Sequence, residues 1–87
     1  MSPAPLPLRK TEAGCWHLDC LGLLCPVPVI KTGRAIRKVE VGEILTVTAD
    51  DPGAAEDLVD WCNANRHELL DNQQQGEVST TRIRRLR

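Results

Sequence analysis

Cys25 is followed by Pro26-Val27-Pro28 and then by the apolar Val29 and Ile30, a run that sets a thiol at the mouth of a helix. Proline biases the residue before it away from helical backbone angles, and it is well tolerated in a first helical turn, where amide hydrogens lack partners anyway. The helix is therefore expected to begin just after the thiol. The amides of Val27 and Val29, with the positive end of the helix dipole, would then face the sulfur. Helix N-termini lower a thiol pKa by roughly one unit or more from about 8.5. The chemistry such a setting suits is a reactive cysteine that carries or transfers a group. An ordinary buried cysteine ahead of a helix is the alternative that spacing alone leaves open.

Cys15, Cys20 and Cys25 are separated by four residues each, with His17 between the first two. A metal site would have to draw on Cys20, Cys25 and His17 or His67, but no close Cys-x-x-Cys pair is present to seed zinc binding, and no metal ligand set is assigned. A redox or regulatory reading joins Cys20 to Cys25 as a thiol switch without group transfer. No histidine adjoins Cys25 in the sequence to act as its base, so acid and base groups are expected from partner proteins, although His17 or His67 could approach in the fold. An RNA-binding reading would use Arg82, Arg84, Arg85 and Arg87. Against it stand a net charge of −1 and an aromatic content of two tryptophans with no Phe or Tyr, because nucleic-acid binding draws on excess basic charge and stacking rings.

A chain of 87 residues is one domain, and at that size only about 60% of the unfolded surface is buried. The core must come from Leu, Val, Ile and Ala, and little room remains for an enclosed substrate cavity. No stretch is long or apolar enough to cross a membrane, and residues 1–14 lack the continuous apolar run of a secretory signal. The chain is expected in the cytoplasm, where thiols stay reduced and surplus cysteines are catalytic, metal-binding or simply buried.

These residues need elements to position them. Residues 1–14, with prolines at 3, 5 and 7, are expected to be a flexible or polyproline-like leader, leaving 15–87 as the folded domain. Trp16, Leu18 and Cys20 alternate with His17 and Asp19, as in a half-buried strand. Residues 21–24 then form the loop that delivers Cys25, with Gly22 supplying a backbone angle that other residues avoid. A helix is expected over 26–39, with Val29, Gly33, Ile36 and Val39 inward. Lys31, Arg34 and Lys38 make a basic stripe on it, either a solvated face or a dock for an acidic partner. Residues 43–49 are rich in β-branched types and fit an interior strand, parallel to the first across a crossover. Asp51 and Pro52 are expected to open a second helix, whose apolar stripe of Ala55, Leu58, Val59 and Cys62 places Cys62 in the core, with Trp61 at its edge. Residues 67–71 and 78–86 complete an antiparallel hairpin around Gly76. The fold class is α/β of the α+β kind: a two-layer βαβαββ sandwich, a small mixed four-stranded sheet with two helices on one face.

Leu18-Asp19, Gly22-Leu23, Cys25-Pro26-Val27-Pro28, Gly42-Glu43, Asp50-Asp51-Pro52 and His67-Glu68-Leu69 together resemble the TusA/SirA-like sulfur carrier family, over roughly residues 16–87. The Cys-Pro-x-Pro motif is specific when it follows Leu-Asp-x-x-Gly-Leu at this spacing. The resemblance implies that Cys25 takes a sulfur atom from a cysteine desulfurase or a rhodanese and holds it as a persulfide. It then passes the sulfur to a downstream acceptor protein, in tRNA thiolation, molybdenum cofactor synthesis or sulfur oxidation. Asp19, Gly22, Pro26, Val27 and Pro28 would support that site, and Lys31, Arg34 and Lys38 would serve docking. No cofactor is implied, no direct nucleic-acid or membrane contact is expected, and the chain would be a monomeric sulfurtransferase-like carrier rather than a stand-alone enzyme. Two positions depart from the common family pattern: Leu24 stands where many members carry arginine, and Arg66 where many carry glycine.

Overall fold

Seven elements follow one another in the computed structural model, which describes residues 6–87: β1 (Leu8–Glu12), β2 (Cys15–Cys20), α1 (Val27–Ala35), β3 (Ile44–Ala49), α2 (Ala54–Asn65), β4 (Glu68–Gln75) and β5 (Val78–Arg84). They build a single five-stranded mixed sheet in the order β1-β2-β3-β5-β4. The β-branched run at 44–49 takes the centre, parallel to β2 and antiparallel to β5. This is the expected α+β sandwich with one strand more.

The added strand is β1, and it corrects the reading of 1–14 as a leader. Leu8, Arg9 and Lys10 pair antiparallel with Leu18, His17 and Trp16, and the register shifts before Glu12 meets Cys15. Four of its five residues are exposed, so apolar alternation could not announce it. Backbone pairing to the edge of β2 holds it, with Lys10 seated over the Trp16 ring. Pro3 and Pro5 of the expected leader lie outside the described residues.

Alternation then decides which face is covered. Leu18 and Cys20 of β2, Leu45, Val47 and Ala49 of β3, and Ile83 of β5 are buried on one face, together with Ala35, Ile36 and Val39 after β2 and Ala54, Leu58 and Cys62 of α2. Both helices therefore cover that face. The opposite face carries His17, Thr46 and Arg82 side by side across three strands, a polar row that water can solvate. On the hairpin, Arg82 pairs with Asp71 and Arg84 with Glu68. Among the described residues, no helix is long and apolar enough to cross a membrane.

The helix boundaries differ from expectation. α1 stops at Ala35 instead of Val39, because Lys38 bonds back to Ala35 in a tighter turn and the Val39 carbonyl accepts from the Arg85 guanidinium. Its buried face is Pro28, Thr32 and Ala35. α2 starts at Ala54, two residues later than Pro52, because the Asp51 carboxylate accepts from the Gly53 amide and the Asp51 carbonyl from Ala54. Asp51 thus caps a turn that leads into the helix. At the other end Arg66 adopts a left-handed backbone, φ 59°, and its amide and that of His67 close onto carbonyls of the last turn. This is a capping position that glycine fills with less strain.

Candidate functional site

Parallel β2 and β3 place the starts of both helices at one end of the sheet. Cys20 pairs with Ala49 at the last rung, so the loop into α1 and the loop into α2 leave side by side. Aspartates tie them together. Asp19 accepts from the amide of Leu21, and Asp50 accepts from the amide of Gly22, both at 2.9 Å. Gly22 has φ +79°, which fulfils the expectation that it supplies a backbone angle residues with side chains avoid. The loop closes as Leu23 bonds to Cys20 O and Val27 to Leu24 O.

This loop leaves Cys25 exposed at the N-terminal end of α1, with Pro26 at the cap and Pro28 buried in the first turn. The expected setting of the sulfur needs one correction. The Val27 amide is spent on Leu24, and the thiol itself donates to Oδ2 of Asp57 at 2.7 Å. That hydrogen bond, helped by the charges of Asp57 and Asp51, pushes the Cys25 thiol above its ordinary pKa of 9.0. The partner that meets the sulfur is thus a carboxylate 32 residues away in the chain.

The other thiols are placed differently. Cys20 and Cys62 are fully buried, and burial raises each to about 11; Cys62 is the core residue its stripe foretold. Cys15 is half-buried at the start of β2. The metal set does not assemble, since His17 and Cys20 point to opposite faces of β2, and His17 instead shares a 3.0 Å hydrogen bond with Thr48. Among the described residues no group of three potential ligands comes together.

Of the expected docking residues, Lys31 is half-buried, Arg34 is exposed on α1, and Lys38 lies beyond the helix end. The structure gathers a different basic set. Arg34 joins Arg37, Arg85 and Arg87 around an open groove of about 790 Å³ between the two helices and the C-terminal segment, floored by Ile30 and Trp61. His67 stacks on Trp61 there, with 5.4 Å between ring centroids, and its Nδ1 accepts from the Leu86 amide. Partial burial and then Arg85 and Arg87 hold its pKa below 6.5. Among the described residues, no acidic side chain lines this groove. The thiol end is acidic and the groove basic.

Asp57 is a partner of Cys25 that local sequence pattern does not announce. The available signal was topological: an acid in the first turn of α2, at the same sheet end as the first turn of α1. Arg37 carried no signal of its own, and Arg85 and Arg87 stood out only as part of a C-terminal arginine cluster, because their convergence with Arg34 is set by tertiary packing.

The family model described as Sulfurtransferase TusA matches residues 17–85. The "Putative sulfur carrier protein YrkI" of Bacillus subtilis is 41% identical over 61 residues, which are 70% of this chain and 81% of that protein. The "Putative sulfur carrier protein YrkF" of the same organism is 38% identical over 61 residues, 70% of this chain but only 33% of that longer protein. The crystal structure of a SirA-like protein from Desulfitobacterium hafniense superposes with a TM-score of 0.70 at 23% identity, covering 82% of this chain and 97% of the other. That last likeness is one of fold.

Proposed function

This chain belongs to the sulfurtransferase TusA family, and from that premise we propose that it relays sulfur as a persulfide on Cys25. The observation that carries the reading is the contrast among its four thiols: Cys25 is exposed, Cys15 is half-buried, and Cys20 and Cys62 are buried. In the receiving step the Cys25 thiolate attacks the terminal sulfur of a donor persulfide. A new S–S bond forms at Sγ, the donor's S–S bond breaks, and the donor leaves as a thiolate that takes up a proton. An acceptor nucleophile later attacks the same terminal sulfur and regenerates Cys25. The exchange needs no outside oxidant.

A cysteine desulfurase or a rhodanese is the donor class. The acceptor is a protein, because Asp19, Asp50, Asp51 and Asp57 around the loop would repel a polyanion brought directly to the sulfur. The delivery serves tRNA thiolation, molybdenum cofactor synthesis or sulfur oxidation. The basic groove offers those partners an acidic-segment dock, now centred on Arg34, Arg37, Arg85 and Arg87 rather than on Lys31 and Lys38. The chain works as a monomeric carrier in the cytoplasm, presenting the same thiol to successive proteins. A disulfide switch through Cys20 has no observation in its favour, since that thiol is sealed beneath the helices.

The test is the intact mass after incubation with a cysteine desulfurase and cysteine, or a rhodanese and thiosulfate, without reductant. Wild type should gain one sulfur atom that a reductant removes, and Cys25→Ser should gain none. Equal loading of Cys25→Ser, or no loading from either donor, would refute the reading.

A further inference from the structure

The geometry points to Asp57 as a positioning residue for the relay: its carboxylate holds Cys25 as a hydrogen-bonded thiol in the empty carrier and so keeps an exposed sulfur unreactive until a partner disturbs the pair. The inference rests on Cys25 being the sulfur-bearing residue. Asp57 is fixed in the first turn of α2, with its own amide bonded to the Gly53 carbonyl, and its Oδ2 lies 2.7 Å from Cys25 Sγ. An ionised carboxylate only accepts hydrogen bonds, so this bond requires the proton on sulfur. The contact therefore selects the thiol and opposes the thiolate.

The surrounding charges act in the same sense. From the loop before α2, Asp51 adds its negative charge at Cys25, while Asp50 is engaged by the Gly22 amide and Asp19, at the end of β2, by the Leu21 amide. On α1, Lys31 acts on the buried Cys20. Among the described residues, the charges that act on Cys25 are those of Asp57 and Asp51. The opposing influence is the positive end of α1, whose Val27 amide is already bonded to Leu24.

The chemistry also limits the contact to one stage of the cycle. A persulfide carries no hydrogen on Sγ, so loading removes the donor of this bond and sets a sulfur lone pair against the carboxylate. Asp57 thus distinguishes the empty carrier from the loaded one. An exposed thiolate is the form that is oxidised or alkylated, and holding the empty carrier as a thiol protects it between partners.

The experiment needs no sulfur donor, so it stands apart from the test of the relay itself. Rates of alkylation of Cys25 by iodoacetamide would be measured from pH 6 to 10 in the full chain, with the site of labelling read by fragment mass. In this reaction the Sγ–C bond forms, iodide leaves and the thiol proton passes to water. Asp57→Asn keeps the side chain's shape and removes the charge, whereas Glu56→Gln removes an exposed neighbouring charge from the same first turn that does not touch the sulfur. Because a like charge beside an acid disfavours its ionised form, Asp57→Asn should move the reactivity profile to lower pH and speed alkylation near pH 7.5 by at least about threefold. Glu56→Gln should follow wild type, and Asp57→Glu should restore most of the protection. Identical profiles for wild type and Asp57→Asn, or equal shifts in Asp57→Asn and Glu56→Gln, would overturn the assignment. Circular dichroism of each variant shows that α2 is intact.

Discussion

Asp57 and Leu58 are neighbours on α2, yet they serve two different regions of the molecule. Asp57 reaches out to an exposed thiol; Leu58 turns inward, fully buried, to the core that also holds Cys62. The thiols on the two sides tell the same story. Cys25 and Cys62 both resist ionisation, one because a carboxylate touches it and the other because water does not. The first cause can be undone by a docking protein, whereas the second can be undone only by opening the fold. A free cysteine in a small domain is thus made inert in two ways, and only one of them is suited to a carrier.

The largest effect that should separate the two regions comes from Leu58→Ala. It empties a fully buried site and should lower stability by about 2–5 kcal/mol, read from the denaturant midpoint, while the pH profile of Cys25 alkylation in the folded range stays that of wild type. A shifted profile at low denaturant would mean that core and site are less separate than described here.

The matched serine pair comes next. Cys62→Ser places a hydroxyl among apolar neighbours and should cost about 1–3 kcal/mol, whereas exposed Cys25→Ser should change stability by less than about 0.5 kcal/mol. The buried thiols also give the comparison a pH signature. Their folded pKa values of about 11 lie above the ordinary 9.0, so the unfolded chain loses these protons first. Their contribution is complete below pH 9 and is lost as pH rises toward 11. Cys62→Ser should make the alkaline decline in melting temperature shallower; an unchanged decline would contradict the assigned burial.

The smallest effect belongs to the far end of α2. Arg66→Gly relieves a left-handed backbone and should stabilise the protein by about 1 kcal/mol or less, because glycine's freedom in the unfolded chain offsets part of the gain. Sulfur loading on Cys25 should not change. Destabilisation would show that the Arg66 side chain contributes a contact larger than the strain.

Much of this arrangement was legible in the residues. Alternation at 16–20, the β-branched run at 44–49, and the Leu58-to-Cys62 spacing gave two parallel strands, the crossover between them, and the buried face of α2. The Cys-Pro-Val-Pro run located the exposed thiol. β1 was hidden because Leu-Arg-Lys-Thr-Glu has no apolar alternation and is held by backbone pairing to a partner strand's edge. The state of the thiol was misread for a related reason: a dipole argument uses only local sequence, while Asp57 is brought to Cys25 by the parallel pairing of β2 and β3. Local pattern reaches as far as an element and its faces. Contacts between the ends of two elements wait for the sheet register.

The central claim, that sulfur resides on Cys25 and on no other thiol, is tested most directly by mapping the added atom. Protein loaded by a desulfurase and cysteine would be alkylated without reduction, digested and fragmented by mass spectrometry, so that Cys15, Cys20, Cys25 and Cys62 are each read separately. The account predicts one extra sulfur on Cys25, with Cys15, Cys20 and Cys62 unmodified by sulfur. Extra sulfur on Cys15, or spread among several thiols, would contradict it.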